Sequence, residues 1–121
     1  MKKRKVFIFG GGGFIGFAIV RVLFERGNYD ITIGDNFCNN QDDEELRCFL
    51  KNNNIKLLEE DFTDPLQFEK LDTEYDDFYM LASMIGVNNT LENPHEIIRV
   101  NTALIFNSLE WIKKVKVKNV L

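Results

Sequence analysis

Residues 5–16 read KVFIFGGGGFIG, an apolar run that ends in four consecutive glycines and is followed by another glycine at position 16. The run Lys5–Phe9 is rich in β-branched and aromatic residues, which predicts a strand buried on both faces, as in a parallel sheet. From Phe14 apolar residues recur at helical spacing up to Arg26, and Gly27 supplies a C-terminal stop. The stretch therefore predicts a strand, a glycine turn and a helix. The positions that carry the helical period are Ile15, Ala18, Ile19, Val22 and Leu23.

The rest of the chain continues to alternate between short apolar runs and amphipathic segments. Further strands are predicted at residues 30–33, 55–58 and 78–82, and a fifth is predicted to begin at 119–121. Helices are predicted at 44–51, 66–71 and 93–114, and residues 36–43 indicate a loop. This alternation predicts one domain, residues 1–121, of the α/β class, with an open, doubly wound parallel sheet of about five strands. The predicted inner face of the last helix carries Ile97, Ile98, Asn101, Leu104, Ile105, Ser108, Leu109 and Ile112.

Composition and charge restrict the classes of function. The 121 residues are 45% hydrophobic and 28% charged, which argues against disordered, collagen-like and disulfide-scaffold chains. The net charge of −4 disfavours an electrostatically driven binder of nucleic acid or membrane, so a small-molecule ligand is expected. Two cysteines, Cys38 and Cys48, and the single His95 are too few for an ordinary zinc site. We predict a cytoplasmic protein with reduced thiols and no bound metal.

The glycine turn is a candidate site for a phosphate group. Backbone N–H groups and the positive end of the helix dipole converge where a buried strand turns into a helix. Gly10 can take the tight turn, Gly13 would let a pyrophosphate approach the backbone, and Gly16 would let the helix lie close against the strand. The alternative is a flexible loop, which the conformational entropy cost of four glycines disfavours.

Asp35 is the candidate ribose ligand. It lies 19 residues beyond Gly16, at the end of the second predicted strand, where an acid can bind both ribose hydroxyls of an adenosine. A 2′-phosphate there would meet like-charge repulsion, and no Lys or Arg occurs in residues 36–40 to neutralise it. NAD is therefore preferred over NADP. The alternative is that Asp35 only forms a turn after Gly34.

The motif Gly-x-x-Gly-Phe-Ile-Gly at residues 10–16 resembles that of the extended short-chain dehydrogenase/reductase family, specifically its NAD-dependent sugar epimerases and dehydratases. The similarity continues through Asp35-Asn36, Asp61-Phe62, Met80-Leu81-Ala82-Ser83, Gly86-Val87, Glu92-Asn93-Pro94 and Val100-Asn101. It implies a Rossmann-type fold that binds NAD, with an adenine contact at Asp61-Phe62 and cofactor contact along the backbone that begins at Leu81. The cofactor-binding residues so predicted are Gly10, Gly13, Phe14, Ile15, Gly16, Asp35, Asn36, Asp61, Phe62, Leu81, Ala82 and Ser83.

The sequence departs from the family pattern at three places. Phe9 replaces the usual threonine before the first motif glycine, and Met80 replaces the usual histidine, so neither side chain can supply those hydrogen bonds. No lysine has a tyrosine four residues before it, so the family's catalytic Tyr-x-x-x-Lys pair is absent. We therefore predict no catalytic residue in this chain. A nucleotide-sugar substrate is expected only where the missing C-terminal part is supplied.

Three hypotheses follow for the chain as a whole. The first, which we favour, is that it is the N-terminal, NAD-binding half of an epimerase or dehydratase and is inactive alone. The second is a stand-alone, non-catalytic nucleotide-binding or sensing module that completes its sheet by self-association. The third is an enzyme whose catalytic residues come from another chain. The fifth strand is predicted to have barely begun at Leu121, which would leave a sheet edge and an apolar helix face uncovered. Such surfaces favour a homo-oligomer.

Several other residues have a structural and a functional interpretation. The acidic residues at 72, 74, 76 and 77 are interpreted as a solvated turn before the fourth strand rather than a metal site. His95 is interpreted as a surface imidazole rather than a general base. Asn101 is interpreted as a structural bridge to the fourth strand, with direct cofactor contact as the alternative. Ser83 and Met84 are expected, by resemblance, near the nicotinamide, and Trp111 in the core.

Overall fold

The computed structural model describes residues 2–38, 43–85 and 87–121, except for the side chains of 87–89. Its strands are β1 (Arg4–Phe9), β2 (Tyr29–Asp35), β3 (Lys56–Glu59), β4 (Glu74–Met80) and β5 (Lys116–Val120). They form one sheet in the order β3-β2-β1-β4-β5, and every neighbouring pair is parallel. The helices are α1 (Phe14–Arg26), α2 (Glu44–Asn52), α3 (Val87–Glu92) and α4 (Pro94–Lys114), with a 3₁₀ helix at Pro65–Lys70. The doubly wound parallel sheet that the sequence predicts is confirmed.

Strand β1 lies at the centre of the sheet and supplies both of its cores. Val6 and Ile8 pack on one face, under α1 and α2, whereas Phe7 and Phe9 pack on the other, under α4. The second core is strongly aromatic: the Phe7 ring stacks on Phe78 at a centroid distance of 5.4 Å. Trp111 belongs to this core, as predicted. Burial on both faces explains why β1 is continuously apolar instead of alternating.

Helix α1 has the predicted bounds, and only part of its apolar period packs on the sheet. Gly16, Val20 and Leu23 are buried, whereas Ile15 is 63% and Val22 is 50% exposed. Of the positions that carry the apolar helical period, Leu23 is buried and Ile19 packs against the core, whereas Ile15 and Val22 do not. The close approach of Gly16 to β1 fixes the rotation of the helix, and apolar spacing alone could not reveal that approach.

Helix α4 is also rotated relative to the prediction. Its buried residues are Leu104, Asn107, Ser108 and Trp111. Ile98, Ile105 and Leu109, which were predicted to face inward, are each more than half exposed. The Trp111 ring, which packs against Phe7 at 5.7 Å, anchors the helix on the aromatic core and sets this rotation.

The fourth and fifth strands begin earlier than predicted. β4 starts at Glu74, so three of the four acidic residues assigned to a turn lie within a strand, and that assignment is wrong for Glu74, Asp76 and Asp77. β5 is five residues long, whereas the sequence predicted a strand that had barely begun. Its pairing with β4 extends one residue further, since the Leu121 N–H donates to Phe78 O at 2.9 Å. The short α3 was not predicted. Residues 39–42 of the predicted loop, including Asn39 and Asn40, and Gly86 of the family match lie outside the described residues.

An ion pair explains how an acid can occupy the middle of β4. Asp77 is buried, and its Oδ1 accepts hydrogen bonds from Arg4 Nη2 at 2.8 Å and from Asn119 Nδ2 at 2.9 Å. The hydrogen bonds from Arg4 hold the pKa of Asp77 below its usual value. The pair thus ties β1, β4 and β5 together. Among the described helices, none combines the length and hydropathy needed to cross a membrane.

We expect Asp77→Asn to lower the free energy of unfolding by about 1 kcal/mol at pH 7, because Arg4 loses its charged partner. The folded-state pKa of Asp77 lies below its unfolded value of 3.8, so this stabilisation is present above that pH and is lost as the pH falls through the folded-state pKa. Urea unfolding of both proteins between pH 7 and the acid limit measures the difference. The exposed Asp30→Asn serves as control, and a difference that persisted at the acid end would contradict the assignment.

Candidate nucleotide-binding site

A cavity of about 860 Å³ opens at the carboxyl ends of β1, β2 and β4. The strand order reverses here, because the chain runs outward from β1 to β3 on one side and continues with β4 on the other. In open α/β sheets this switch point is where ligands bind. Of the predicted cofactor-binding residues, those that line the cavity are Gly10, Gly13, Phe14, Ile15, Gly16, Asp35, Asn36, Phe62, Leu81, Ala82 and Ser83.

Asp61 is the predicted residue that the structure does not bring to the cavity wall. Its Oδ1 accepts hydrogen bonds from Thr63 N at 3.0 Å and Thr63 Oγ1 at 2.6 Å, so the carboxylate closes a local turn after β3. Phe62 reaches the cavity wall but is almost fully buried, and its ring packs against Phe9 at 5.0 Å. The cavity wall at this point is therefore the edge of the aromatic core.

The glycine turn has the tight geometry that the sequence predicts. Gly10 has φ +90°, and its N–H donates to Gly34 O at 2.7 Å. A Cβ at Gly10 would lie 2.6 Å from Ala82 N, so the first glycine also permits close passage of the segment after β4. A Cβ at Gly16 would lie 2.3 Å from Gly10 O, which confirms the close helix–strand approach predicted there.

Gly13 leaves the N-terminus of α1 open. It is the N-cap residue, it makes no side-chain capping bond, and a Cβ there would meet only Gly10 O, at 3.4 Å. The first N–H groups of an α-helix have no partner within the helix. Together with the positive end of the helix dipole, they form a site suited to an anion such as a phosphate group.

Asp35 lies opposite the glycine turn, and the structure fixes its carboxylate. Oδ2 accepts a hydrogen bond from Gly12 N at 2.8 Å, and Oδ1 accepts one from Phe37 N at 2.7 Å. The second bond is an Asx-type turn, so the turn-forming interpretation of Asp35 holds as well. Each carboxylate oxygen retains a further lone pair, which can accept from a hydroxyl group. Asn36 is exposed, and its Oδ1 accepts from Cys38 N at 3.0 Å.

Two asparagines of α4 hold the loops that form the far wall. Asn101 Oδ1 accepts from Met84 N at 2.7 Å, and its Nδ2 donates to Met84 O at 3.1 Å. The predicted structural role of Asn101 is confirmed, although it bridges to the segment after β4 and not to the strand itself. Asn107 Nδ2 donates to the carbonyl oxygens of Phe62 at 3.0 Å and Thr63 at 2.9 Å.

Sequence reasoning missed Asn107 and a basic residue at the cavity. Asn107 falls outside the predicted apolar face of α4, so nothing in the helical period pointed to its burial. Arg21 of α1 lines the cavity, 4.0 Å from Glu45 Oε1, although the sequence prediction considered positive charges only in the loop after Asp35. Arg21 lies two helical turns after Phe14 and therefore on the same face of α1, so helical spacing from the glycine turn could have identified it.

The remaining titratable candidates lie elsewhere or do not cluster. His95 is exposed at the start of α4, in agreement with a surface imidazole. Cys38 and Cys48 are free and exposed, and Cys38 lines the cavity, where burial raises the pKa of its thiol. Within the described ranges no three His, Cys, Asp or Glu side chains are grouped so that they could hold a metal ion.

Comparison with known proteins identifies the family. The model of the NAD dependent epimerase/dehydratase family matches residues 6–121. The chain belongs to this family. The resemblance inferred from the glycine motif is therefore confirmed.

Three relatives of the epimerase/dehydratase chain show how much of the family it spans. UDP-N-acetyl-alpha-D-glucosaminuronate decarboxylase of Bacillus cytotoxicus is 32% identical over 96% of this chain and 35% of its own length. The UDP-N-acetylglucosamine 4-epimerase of Methanobrevibacter ruminantium M1, solved with UDP-N-acetylmuramic acid, is 28% identical with a TM-score of 0.80, over 99% and 37% of the two chains. WbmF of Bordetella bronchiseptica, solved with NAD+ and UDP, is 25% identical with a TM-score of 0.77, over 98% and 35%. The chain thus spans about a third of the length of these relatives.

The second and third motif glycines, Gly13 and Gly16, should differ in their effect on stability. We expect Gly16→Ala to lower the free energy of unfolding by about 3 kcal/mol, because its Cβ must displace backbone atoms at Gly10. Gly13→Ala is the matched control and should change stability by less than about 1 kcal/mol, since its Cβ has room. Urea unfolding measures both. A loss for Gly16→Ala as small as that expected for Gly13→Ala would contradict the close contact between α1 and Gly10.

Proposed function

We propose that this chain is the NAD-binding portion of an NAD-dependent nucleotide-sugar epimerase or dehydratase. The observation that carries the proposal is the convergence, in one cavity at the switch point of the sheet, of an open helix N-terminus and a fixed carboxylate. The donor set suits a dinucleotide, since Gly13 leaves space for a diphosphate and Asp35 presents acceptors to a diol. That WbmF, at 25% identity, was solved with NAD+ supports the choice of ligand.

Each part of the cavity has a place in this proposal. The N–H groups at the start of α1 hold the diphosphate, and Asp35 accepts hydrogen bonds from the adenosine ribose. Asp61 and Phe62 belong to the adenine side by family resemblance, with Phe62 as the residue on the cavity wall. The backbone from Leu81 to Ser83 borders the nicotinamide half. When bound, NAD supplies a hydride acceptor for oxidation of a sugar hydroxyl.

The same geometry supports NAD over NADP. A 2′-phosphate beside Asp35 would face a carboxylate whose two oxygens are already oriented by backbone donors. Arg21 lines the cavity, but its guanidinium lies 4.0 Å from Glu45 Oε1 and 5.8 Å from the Phe17 ring centroid. These contacts occupy the arginine on α1, and we propose that it does not offset the repulsion.

We further propose that the chain does not turn over a nucleotide sugar by itself. The sequence contains no Tyr-x-x-x-Lys pair, and the relatives that act on UDP-sugars are about three times as long. Incubation with NAD+ and UDP-N-acetylglucosamine or UDP-glucuronate, followed by chromatography of the products, tests this proposal. Formation of an epimer, or of a dehydrated or decarboxylated sugar, would overturn it.

Binding of NAD+ should depend on Asp35 and on the open space at Gly13. We expect Asp35→Ala to weaken NAD+ binding at least about tenfold, since hydrogen bonds to a charged group contribute about 1.5–3 kcal/mol. Gly13→Val should abolish binding because its side chain fills the path of the diphosphate. Isothermal titration calorimetry with NAD+ and NADP+ measures both effects. Asp30→Ala, at the opposite end of β2, is the control, and binding by Asp35→Ala equal to that of the wild type would defeat the ribose assignment.

One observation favours a second candidate, a non-catalytic nucleotide-binding module that self-associates. The side chains of Ile98, Ile105, Phe106 and Leu109 form an apolar stripe on α4, and each is more than half exposed. A stripe of this kind is typical of a helix that packs against another surface.

Sedimentation velocity with and without NAD+ tests the second candidate. Under that candidate the wild type is a dimer or larger, and Ile105→Glu is monomeric, because the charge cannot be buried in the interface. Glu110→Gln, an exchange of similar size outside the stripe, is the control. A wild-type chain that remains monomeric at about 100 μM protein, both without NAD+ and with saturating NAD+, would exclude the second candidate.

A further inference from the structure

Phe37 has an unusual backbone conformation directly beside the proposed ribose ligand. Its φ is +58°, in the left-handed region that a bulky side chain rarely adopts, and the residue is nevertheless buried. Such a conformation costs about 1–3 kcal/mol and persists only where its surroundings enforce it. The Phe37 N–H donates to Asp35 Oδ1 at 2.7 Å, while the ring of the same residue lies in the core, so residue 37 joins the carboxylate to the packing around it.

The surroundings that enforce this conformation come from three sides. The Phe37 ring belongs to the core beneath α1 and α2. On the inner side, Gly12 is so close that a Cβ there would lie 2.7 Å from Phe37 Cε1 and 2.8 Å from Asp35 Oδ2. On the other side, the guanidinium of Arg47 in α2 lies over the ring, with Cζ 4.6 Å from the ring centroid. Arginine over an aromatic face is an attractive contact, and the Arg47 side chain, which is 39% exposed, forms the outer cover of the ring.

Arg47 is itself held in place by the end of β3. Its Nη1 and Nη2 donate to Glu59 Oε2 at 3.1 Å and Oε1 at 2.9 Å, a two-bond pairing that fixes the plane of the guanidinium. The same hydrogen bonds lower the pKa of Glu59, so the pair is charged at neutral pH. Glu59 lies opposite Asp35 in the β2–β3 register. The arginine therefore connects α2 and β3 to the residue that follows the ribose ligand.

We propose that Arg47 is a positioning residue for Asp35. By covering the Phe37 ring it holds residue 37 in place, which keeps the Phe37 N–H on Asp35 and the carboxylate in the orientation that accepts from the adenosine ribose. The inference rests on the proposed function for its ligand. Its structural part, the dependence of the Asp35 turn on Arg47, concerns the unliganded chain alone.

Two measurements on Arg47→Gln test the proposal. In the unliganded protein, amide hydrogen exchange at Phe37 should speed up about tenfold, because the turn opens when the ring loses its cover. By calorimetry, the NAD+ dissociation constant should rise about tenfold. Arg47→Lys should show a smaller loss in both, since lysine keeps the charge but lacks the planar group that lies over the ring. Arg99→Gln is the matched control, because Arg99 pairs with Glu96 through two bonds on α4, far from Phe37 in sequence.

A double-mutant cycle separates positioning from a general loss of stability. In an Asp35→Ala background, Arg47→Gln should change the NAD+ dissociation constant less than twofold, because its effect is transmitted through the missing carboxylate. An equal tenfold loss in that background, or unchanged exchange at Phe37, would overturn the proposal. If Arg47→Gln reduces folding, the Phe37 amide exchange rate and the NAD+ dissociation constant are measured instead for Arg47→Lys and Glu59→Gln, and the same outcomes would support or overturn the proposal. A wild-type chain that does not bind NAD+ would defeat the proposed function, whereas the exchange rates would still decide whether Arg47 holds the turn.

Discussion

The close contact between α1 and the end of β1 is the constraint on which the rest of the site depends. A Cβ at Gly16 would fall 2.3 Å from Gly10 O, so the helix can lie at this depth only with a glycine at the crossing. The contact fixes the rotation of α1, which buries Val20 and Leu23 and leaves Phe14 and Ile15 exposed at the cavity. It also brings the unpaired N–H groups of the first turn to the switch point of the sheet. Packing and the candidate site thus have one common cause.

The second constraint is the fixed position of the Asp35 carboxylate. Backbone donors from two segments, Gly12 and Phe37, bind its two oxygens, and the strain at Phe37 is offset by its buried ring and by Arg47. An acid fixed in this way loses little conformational entropy when a ribose binds. Elements α2 and β3, which do not form the glycine turn, therefore contribute to the geometry of the site through the Arg47–Glu59 pair.

On the other side of the sheet, α4 contributes Val100 and Leu104 to the far wall of the cavity and holds the adjoining loops with polar side chains. Its aromatic anchor, Trp111, contacts Phe7, and its asparagines hold the loops after β3 and β4. Buried amides require partners, so each bond fixes a loop backbone at the cavity rim. The outer stripe of α4 stays exposed. The chain therefore combines a cavity whose loops are held by hydrogen bonds with an exposed apolar surface. The cavity supports the NAD-binding function, and the apolar surface supports the self-associating module.

The sequence alone determined the order of the five strands and of every helix except α3, and it determined that the sheet is parallel. It also determined the roles of Gly10 and Gly16 and the placement of Asp35 at the cavity. These features follow from local period, turn chemistry and chain order. It also identified the family, through motifs that are contiguous in the chain. Only the tertiary structure decided which faces of α1 and α4 are buried, that Asp77 sits inside β4 beside Arg4, and that Asn107 and Arg47 support the cavity. The physical reason is that helical spacing fixes a period but not its phase, and the phase is set by contacts between residues far apart in the chain.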